Sequence, residues 1–187
     1  PEATALYRQV LSADARHAGA LSNLGLLLAE HGDAAEAERM LVEATRVAPQ
    51  YTGGFVNLAL LLHERARHDE AIAAAEAGLA LSPGHRTLEN LLVSSLGAAG
   101  RYDEAIARLT RMVAAHPGYA NGHMLLDTAY TKTGRPDEAV ASFERAAKAQ
   151  KGDTTALVSA AECLMLHGRA EEALKYLDRA LKMRGWE

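Results

Sequence analysis

Gly100-Arg101-Tyr102-Asp103-Glu104-Ala105-Ile106 decides the reading of this chain, because close copies of it stand at a constant interval on both sides. Gly134-Arg135-Pro136-Asp137-Glu138-Ala139-Val140 begins one interval later, and Gly168-Arg169-Ala170-Glu171-Glu172-Ala173-Leu174 begins at the same step beyond that. Gly32-Asp33-Ala34-Ala35-Glu36-Ala37 begins two intervals earlier, and His68-Asp69-Glu70-Ala71-Ile72 fills the gap. Pro1-Glu2-Ala3 opens the chain in the same phase, so Glu-Ala recurs in one register six times. A fixed period of this size marks a solenoid, in which each unit is one supersecondary element whose apolar face is covered only by its neighbours.

Starting at Ala18, five units follow without insertion or deletion: 18–51, 52–85, 86–119, 120–153 and 154–187, with residues 1–17 as the second half of a sixth. Within a unit the apolar residues keep helical spacing: Leu21, Leu24 and Leu28, then Ala37, Met40, Leu41 and Ala44. Each unit is therefore expected to be a hairpin of two short helices. Gly32, Gly100, Gly134 and Gly168 stand where the first helix must stop, a place that favours a left-handed residue. The acids that follow, such as Asp103-Glu104 and Asp137-Glu138, suit the N-terminal dipole of the second helix. Pro49, Pro83 and Pro117 close three of the units.

Two kinds of column explain how the hairpins would pack. Ala3, Ala37, Ala71, Ala105, Ala139 and Ala173 share one column, and Gly25, Ala59 and Ala161 share another on the first helix, so the two backbones can approach. Leu24, Leu58, Leu92 and Leu126, with Leu28, Leu62, Leu96, Tyr130 and Leu164, fill the space between hairpins.

The constant period, Asn23-Leu24-Gly25, the Gly-x-x-Asp-Glu-Ala turn and the closing proline together resemble the tetratricopeptide repeat, over the whole chain. Ala66 departs by replacing the turn glycine, Val93 and Asp127 by replacing the small residue, and Lys151 and Gly185 by standing where proline is usual. The resemblance implies an all-α, right-handed superhelical solenoid of five and a half repeats, forming a single domain over 1–187. Such arrays carry a polar helix over the last repeat. This chain opens without Met in mid-repeat and ends at Arg184-Gly185-Trp186-Glu187, so an excerpt of a longer protein is expected.

Composition narrows the partners. With 49% hydrophobic and only 5% aromatic residues, the chain suits close helix packing in a ribbon-like core. Twenty Lys plus Arg against 24 Asp plus Glu leave a net charge of −4, without the basic excess that a nucleic-acid backbone or anionic membrane attracts. No apolar run approaches the length that a membrane-crossing helix needs, so no membrane insertion is expected. The single cysteine, Cys163, excludes an internal disulfide and fits a reducing cytoplasm or a disulfide-free envelope protein.

Candidate chemistry is sparse. His17 and His85 share one column and His31 and His167 another, at places that are usually solvated. Neither a His-x-x-x-His nor a Cys-x-x-Cys pair occurs, so no metal or cofactor is expected. His123, Asp127 and Tyr130 share one helical face. Asp127 stands in a small-residue column, and His123 one turn earlier is the expected partner of its half-buried carboxylate. Nothing supplies a nucleophile, so no catalytic residue is assigned. Cys163 is expected to be a buried, inert thiol.

The stronger signal is a second stripe on the first helices: Ser22, Asn23, Leu26 and Ala29; Val56, Asn57, Leu60 and His63; Asn90, Leu91, Ser94 and Gly97; Met124, Leu125, Thr128 and Thr131; Val158, Ser159, Glu162 and Met165. A solvated face should be charged, and this one is largely not. In tetratricopeptide arrays the corresponding stripe lines the concave groove that takes peptides. The implied ligand is a protein or peptide with spaced apolar side chains. Asn23 and Asn57 resemble the start of the asparagine ladder in the arm of O-linked N-acetylglucosamine transferases, which stops here at Leu91. The basic clamp for acidic chaperone tails is absent, reduced to Lys132. The expected function is thus a non-catalytic protein-binding scaffold. The alternative is a substrate-recruiting arm of a larger transferase, and self-association through uncovered terminal repeats is a further expectation.

Overall fold

A computed structural model describes residues 2–116, 118–149 and 154–183. Pro117, Lys151 and Gly185, read as closing positions, and Trp186 lie outside the described residues. Among the described residues every regular element is an α-helix: α1 (Glu2–Ala13), α2 (Ala18–Glu30), α3 (Ala34–Val47), α4 (Thr52–Glu64), α5 (His68–Leu81), α6 (Arg86–Ala98), α7 (Tyr102–Ala115), α8 (Ala120–Thr133), α9 (Pro136–Ala149), α10 (Thr155–Leu166) and α11 (Ala170–Met183). The second helices α3, α5, α7, α9 and α11 begin one period apart, and so do α2, α4, α6 and α8. The chain divides into two compact units, Pro1–Ala99 with α1–α6 and Gly100–Glu187 with α7–α11.

The helix breaks are made as the glycine column implies. Gly32, Gly100, Gly134 and Gly168 all have positive φ, and Ala66, the departure, takes φ 56° in the same column. Its turn closes like the others: Arg67 N donates to Leu62 O at 3.0 Å, as Asp33 N does to Leu28 O at 2.9 Å and Arg169 N to Leu164 O at 2.9 Å. Ala66 therefore holds a left-handed conformation that disfavours an L-residue by about 1 kcal/mol. At the helix starts, Asp33 accepts from Glu36 N and the His17 ring from Ala20 N at 3.1 Å, which satisfies donors that lack an intrahelical partner.

The small columns draw first and second helices together. A Cβ on Gly25 would lie 2.7 Å from Leu41 Cγ and 3.1 Å from the carbonyl oxygen of Ala37, so α2 seats directly on α3. In the first unit Leu24, Leu28, Ala37, Leu41 and Leu61 form a buried cluster, flanked by Tyr7, Leu11, Met40 and Leu58. In the second, Ala161, Leu164 and Ala173 form another with Val140, Tyr176 and Leu177. Leu41, Leu109 and Phe143 occupy one column and are fully buried, each removing a side chain worth about 1.5–3 kcal/mol from water.

Candidate functional site

In the first unit the stripe on α2, α4 and α6 is half-buried and joined by hydrogen bonds. Asn57 Nδ2 donates to Ser22 Oγ at 2.9 Å, which ties α4 to α2, and Asn23 Nδ2 donates to the Tyr7 hydroxyl at 3.2 Å. His63 Nδ1 lies 2.9 Å from Ser95 Oγ, which ties α4 to α6. Ser22 and Ser95 are fully buried, so these bonds satisfy groups that water does not reach. Both asparagine amides thus serve the packing of neighbouring helices through Nδ2, and their Oδ1 atoms have no protein partner among the described residues. Leu26, Val56, Leu60 and Ser94 are half-buried. Leu91 departs from the expected lining: at 9% exposure it belongs to the core, because its apolar side chain turns away from water where Asn23 and Asn57 stay half-open. Burial, and then the His68 ring 5.6 Å away, hold His63 below the usual histidine pKa.

The second unit presents the same columns differently. On α8, Met124 is 62% exposed, Leu125 is half-buried, and the exposed Thr128 donates back to Met124 O at 3.0 Å within its own helix. On α10, Met165 is 55% and Leu166 67% exposed, Val158 is half-buried, and Glu162 is exposed. These α10 residues border a cavity of about 480 Å³ lined by Asp127, Val158, Ala161, Glu162, Met165, Leu166 and Leu177.

Asp127, in the column held by Gly25 and Ala59 elsewhere, is half-buried, and its Oδ1 is buried without a partner. Burial raises its pKa, opposed by the nearby Cys163 thiol and by His167. These neighbours come from α10 and the residue that caps its C-terminus, so the expected intrahelical partnership with His123 gives way to a neighbourhood across α8 and α10. His123 itself is fully buried with its ring 5.7 Å from Phe143. Cys163, His167 and Asp127 do not form a nucleophilic centre. The thiol is fully buried and, by burial and then Asp127, pushed up to about 12, while His167 Nδ1 pairs with the Cys163 carbonyl oxygen at 2.8 Å.

A third arrangement lies outside the sequence expectations. Arg67, Arg101, Arg135 and Arg169 stand one period apart at the head of the second helices, and each pairs with the glutamate three positions on: Glu70, Glu104, Glu138 and Glu172. Arg135 also reaches Asp103 and Arg169 reaches Asp137, both at 2.5 Å, in the preceding second helix. Arg67 reaches Glu38 at 2.6 Å instead, since the matching position there is Ala35. The contacts to Glu38, Asp103 and Asp137 couple successive hairpins within each unit. The recurrence of arginine at the repeat period is the signal that could have found them.

The comparisons agree with the geometry. No curated protein matches the chain. Among solved structures it is similar in fold to YrrB, described as a tetratricopeptide-repeat protein with an unusual peptide-binding site, at 17% identity and TM-score 0.67 over 96% of this chain and 92% of that one. It is similar to MamA at 21% identity and TM-score 0.67 over 90% and 92%. It also resembles a chain of the Naa15/Naa10 complex bound to HypK, at 21% identity and TM-score 0.67 over 96% of this chain and 29% of that one. Tetratricopeptide repeat models match residues 30–86 and 128–185, and 62–129 and 96–141, so the chain belongs to the tetratricopeptide repeat family.

Proposed function

We propose that the chain is a non-catalytic protein-interaction scaffold that holds a peptide or helix against its first-helix faces, with the α8–α10 face as the main contact. The observation that supports this most directly is the exposure of Met124, Met165 and Leu166, the last two beside a cavity of about 480 Å³, where a merely solvated surface would carry charge. Met124, Leu125, Thr128, Val158 and Glu162 meet the ligand on that face. In the first unit Leu26, Val56, Leu60, His63 and Ser94 offer a more polar surface, on which Asn23 Oδ1 and Asn57 Oδ1 accept from a ligand backbone. The peptide-binding site ascribed to YrrB, a protein of the same fold, points the same way. The ligand carries spaced Leu, Ile, Met or Phe side chains. Panning a random-peptide display library on the intact chain tests this. Enrichment of peptides with such a recurring pattern is expected, and no enrichment over a blank surface overturns it.

A second reading, self-association, rests on exposed apolar side chains of the terminal helices: Leu6 and Val10 on α1, Leu174 and Leu181 on α11. Sedimentation decides it, since a mass independent of concentration removes it.

A further inference from the structure

We infer that the cavity beside α10 is a specificity pocket for a lysine side chain of the bound peptide, with Asp127 and Glu162 receiving the ammonium and the apolar wall receiving the stem. The inference rests on the α8–α10 face being the binding surface, and it adds a charged determinant that an apolar face alone does not imply.

The lining is divided in the way a lysine is. Val158, Ala161, Met165, Leu166 and Leu177 give an apolar wall, and the two ionisable residues that line the cavity, Asp127 and Glu162, are both acids. Among the described residues no base lines it. The bases closest to Asp127 and Cys163 are otherwise engaged: His167 pairs with the Cys163 carbonyl oxygen, and Arg169 pairs with Glu172 and Asp137. Asp127 Oδ1 is buried with no protein partner, an arrangement that leaves a carboxylate oxygen short of donors in a place where water is restricted. A four-carbon stem that buries itself along apolar surface while its charged end finds a polar group fits such a wall.

The geometry favours an ammonium over a guanidinium. Of the Asp127 carboxylate it is Oδ1 that is buried without a partner, a single acceptor that suits a point donor and not the two-pronged fork of arginine. Glu162 stands exposed at the rim, where it can attract a cation before the stem enters.

The test uses the intact chain, labelled with ¹⁵N, and three probes at constant ionic strength: n-butylammonium chloride, which reproduces the lysine side chain, 1-butanol and sodium butyrate. Saturable amide shifts in α8, α10 and α11 are expected with n-butylammonium, at an affinity about tenfold above that of 1-butanol, and none with butyrate. Glu162→Gln, an exposed change that leaves the core intact, should weaken n-butylammonium several-fold. Asp127→Asn should bring it level with 1-butanol. If Asp127→Asn fails to fold, Glu162→Gln carries the comparison by itself. Equal affinity of n-butylammonium and 1-butanol for the wild type overturns the lysine assignment and leaves the apolar binding face standing. Absence of saturable shifts with every probe overturns the pocket, while the peptide-library experiment separately decides the binding face.

Discussion

Ser22 and Met124 occupy the same column of the repeat, as do His63 and Met165, yet they behave in opposite ways. In the unit Pro1–Ala99, Ser22 is fully buried beneath the Asn57 amide, and His63 is drawn to Ser95. In the unit Gly100–Glu187, the two methionines stand 62% and 55% exposed. The period decides where along a helix a residue stands. Whether its side chain is available depends on what the neighbouring hairpin offers it: hydroxyls and amides that pair in the first unit, thioethers that have nothing to pair with in the second. The same contrast holds in the small-residue column, where Gly25 admits Leu41 to van der Waals contact and Asp127 introduces a half-buried carboxylate.

The largest expected effects fall where the two units are alike. Leu41 and Phe143 share a column and are both fully buried, so Leu41→Ala should cost about 2–5 kcal/mol and Phe143→Ala about 3–5 kcal/mol. Chemical denaturation checks both, and a cost below about 1 kcal/mol at either would show that the column is not equivalent in the two units. The small-residue column should then separate them. Gly25→Val drives a branched side chain into Leu41 and the Ala37 carbonyl and should destabilise by about 1–3 kcal/mol. Asp127→Ala replaces a half-buried acid by the residue already found at Ala59 and Ala161, and its midpoint of thermal denaturation should be unchanged or higher. A clear drop for Asp127→Ala would mean that its packing beside Cys163 holds α8 to α10. Smaller again is Ala66→Gly, which relieves a left-handed alanine and should stabilise by about 1 kcal/mol or be neutral, against the flexibility that glycine adds to the unfolded chain.

Acid should affect the two units in opposite senses. The folded pKa of His63 lies below its ordinary 6.5, so as pH falls the unfolded chain takes up the proton first, and the stability His63 contributes above that value is lost below it. The folded pKa of Asp127 lies above its ordinary 3.8, so here the folded chain is protonated first. Its penalty is present at neutral pH and is relieved as pH falls through the folded value. The advantage of Asp127→Asn over the wild type should therefore shrink on acidification, whereas His63→Gln should flatten the loss of stability below pH 6.5. Melting temperatures at a series of pH values measure both, and a variant whose curve runs parallel to the wild type would show that its residue titrates alike in the folded and unfolded chains.

Most of the helical framework is legible in the sequence because it depends on short-range rules repeated at one interval. The glycines at 32, 100, 134 and 168 place the breaks, the Glu-Ala register starts the second helices, and even Ala66 follows its column against its own preference. The side-chain partners are less legible, because they lie about one period away and not one helical turn away. Spacing pairs Asp127 with His123 on its own helix, whereas its neighbours Cys163 and His167 stand on α10 and at its C-cap. The arginine column is visible as part of the turn signature, but the acids it reaches, such as Asp103 for Arg135, sit nearly a full period back in the sequence. Leu91 shares a column with two half-exposed asparagines, and only its apolar character hints that it turns inward. Complementary pairs spaced near the period, as well as identical residues at the period, are the pattern that carries the arginine contacts.

Whether the exposed apolar face of α8 and α10 captures a peptide is tested most directly by fluorescence-anisotropy titration of a library-selected peptide. The titration compares the intact wild type with Met124→Glu and Met165→Glu, changes at exposed side chains that leave the core untouched, and with Leu60→Glu in the other unit. Both methionine variants should fold as the wild type does and lose at least about tenfold in affinity, since each puts a charge where apolar surface should leave water. Leu60→Glu should weaken binding less. Unchanged affinity in the two methionine variants, or a loss confined to Leu60→Glu, would contradict capture by this face and move recognition away from α8 and α10.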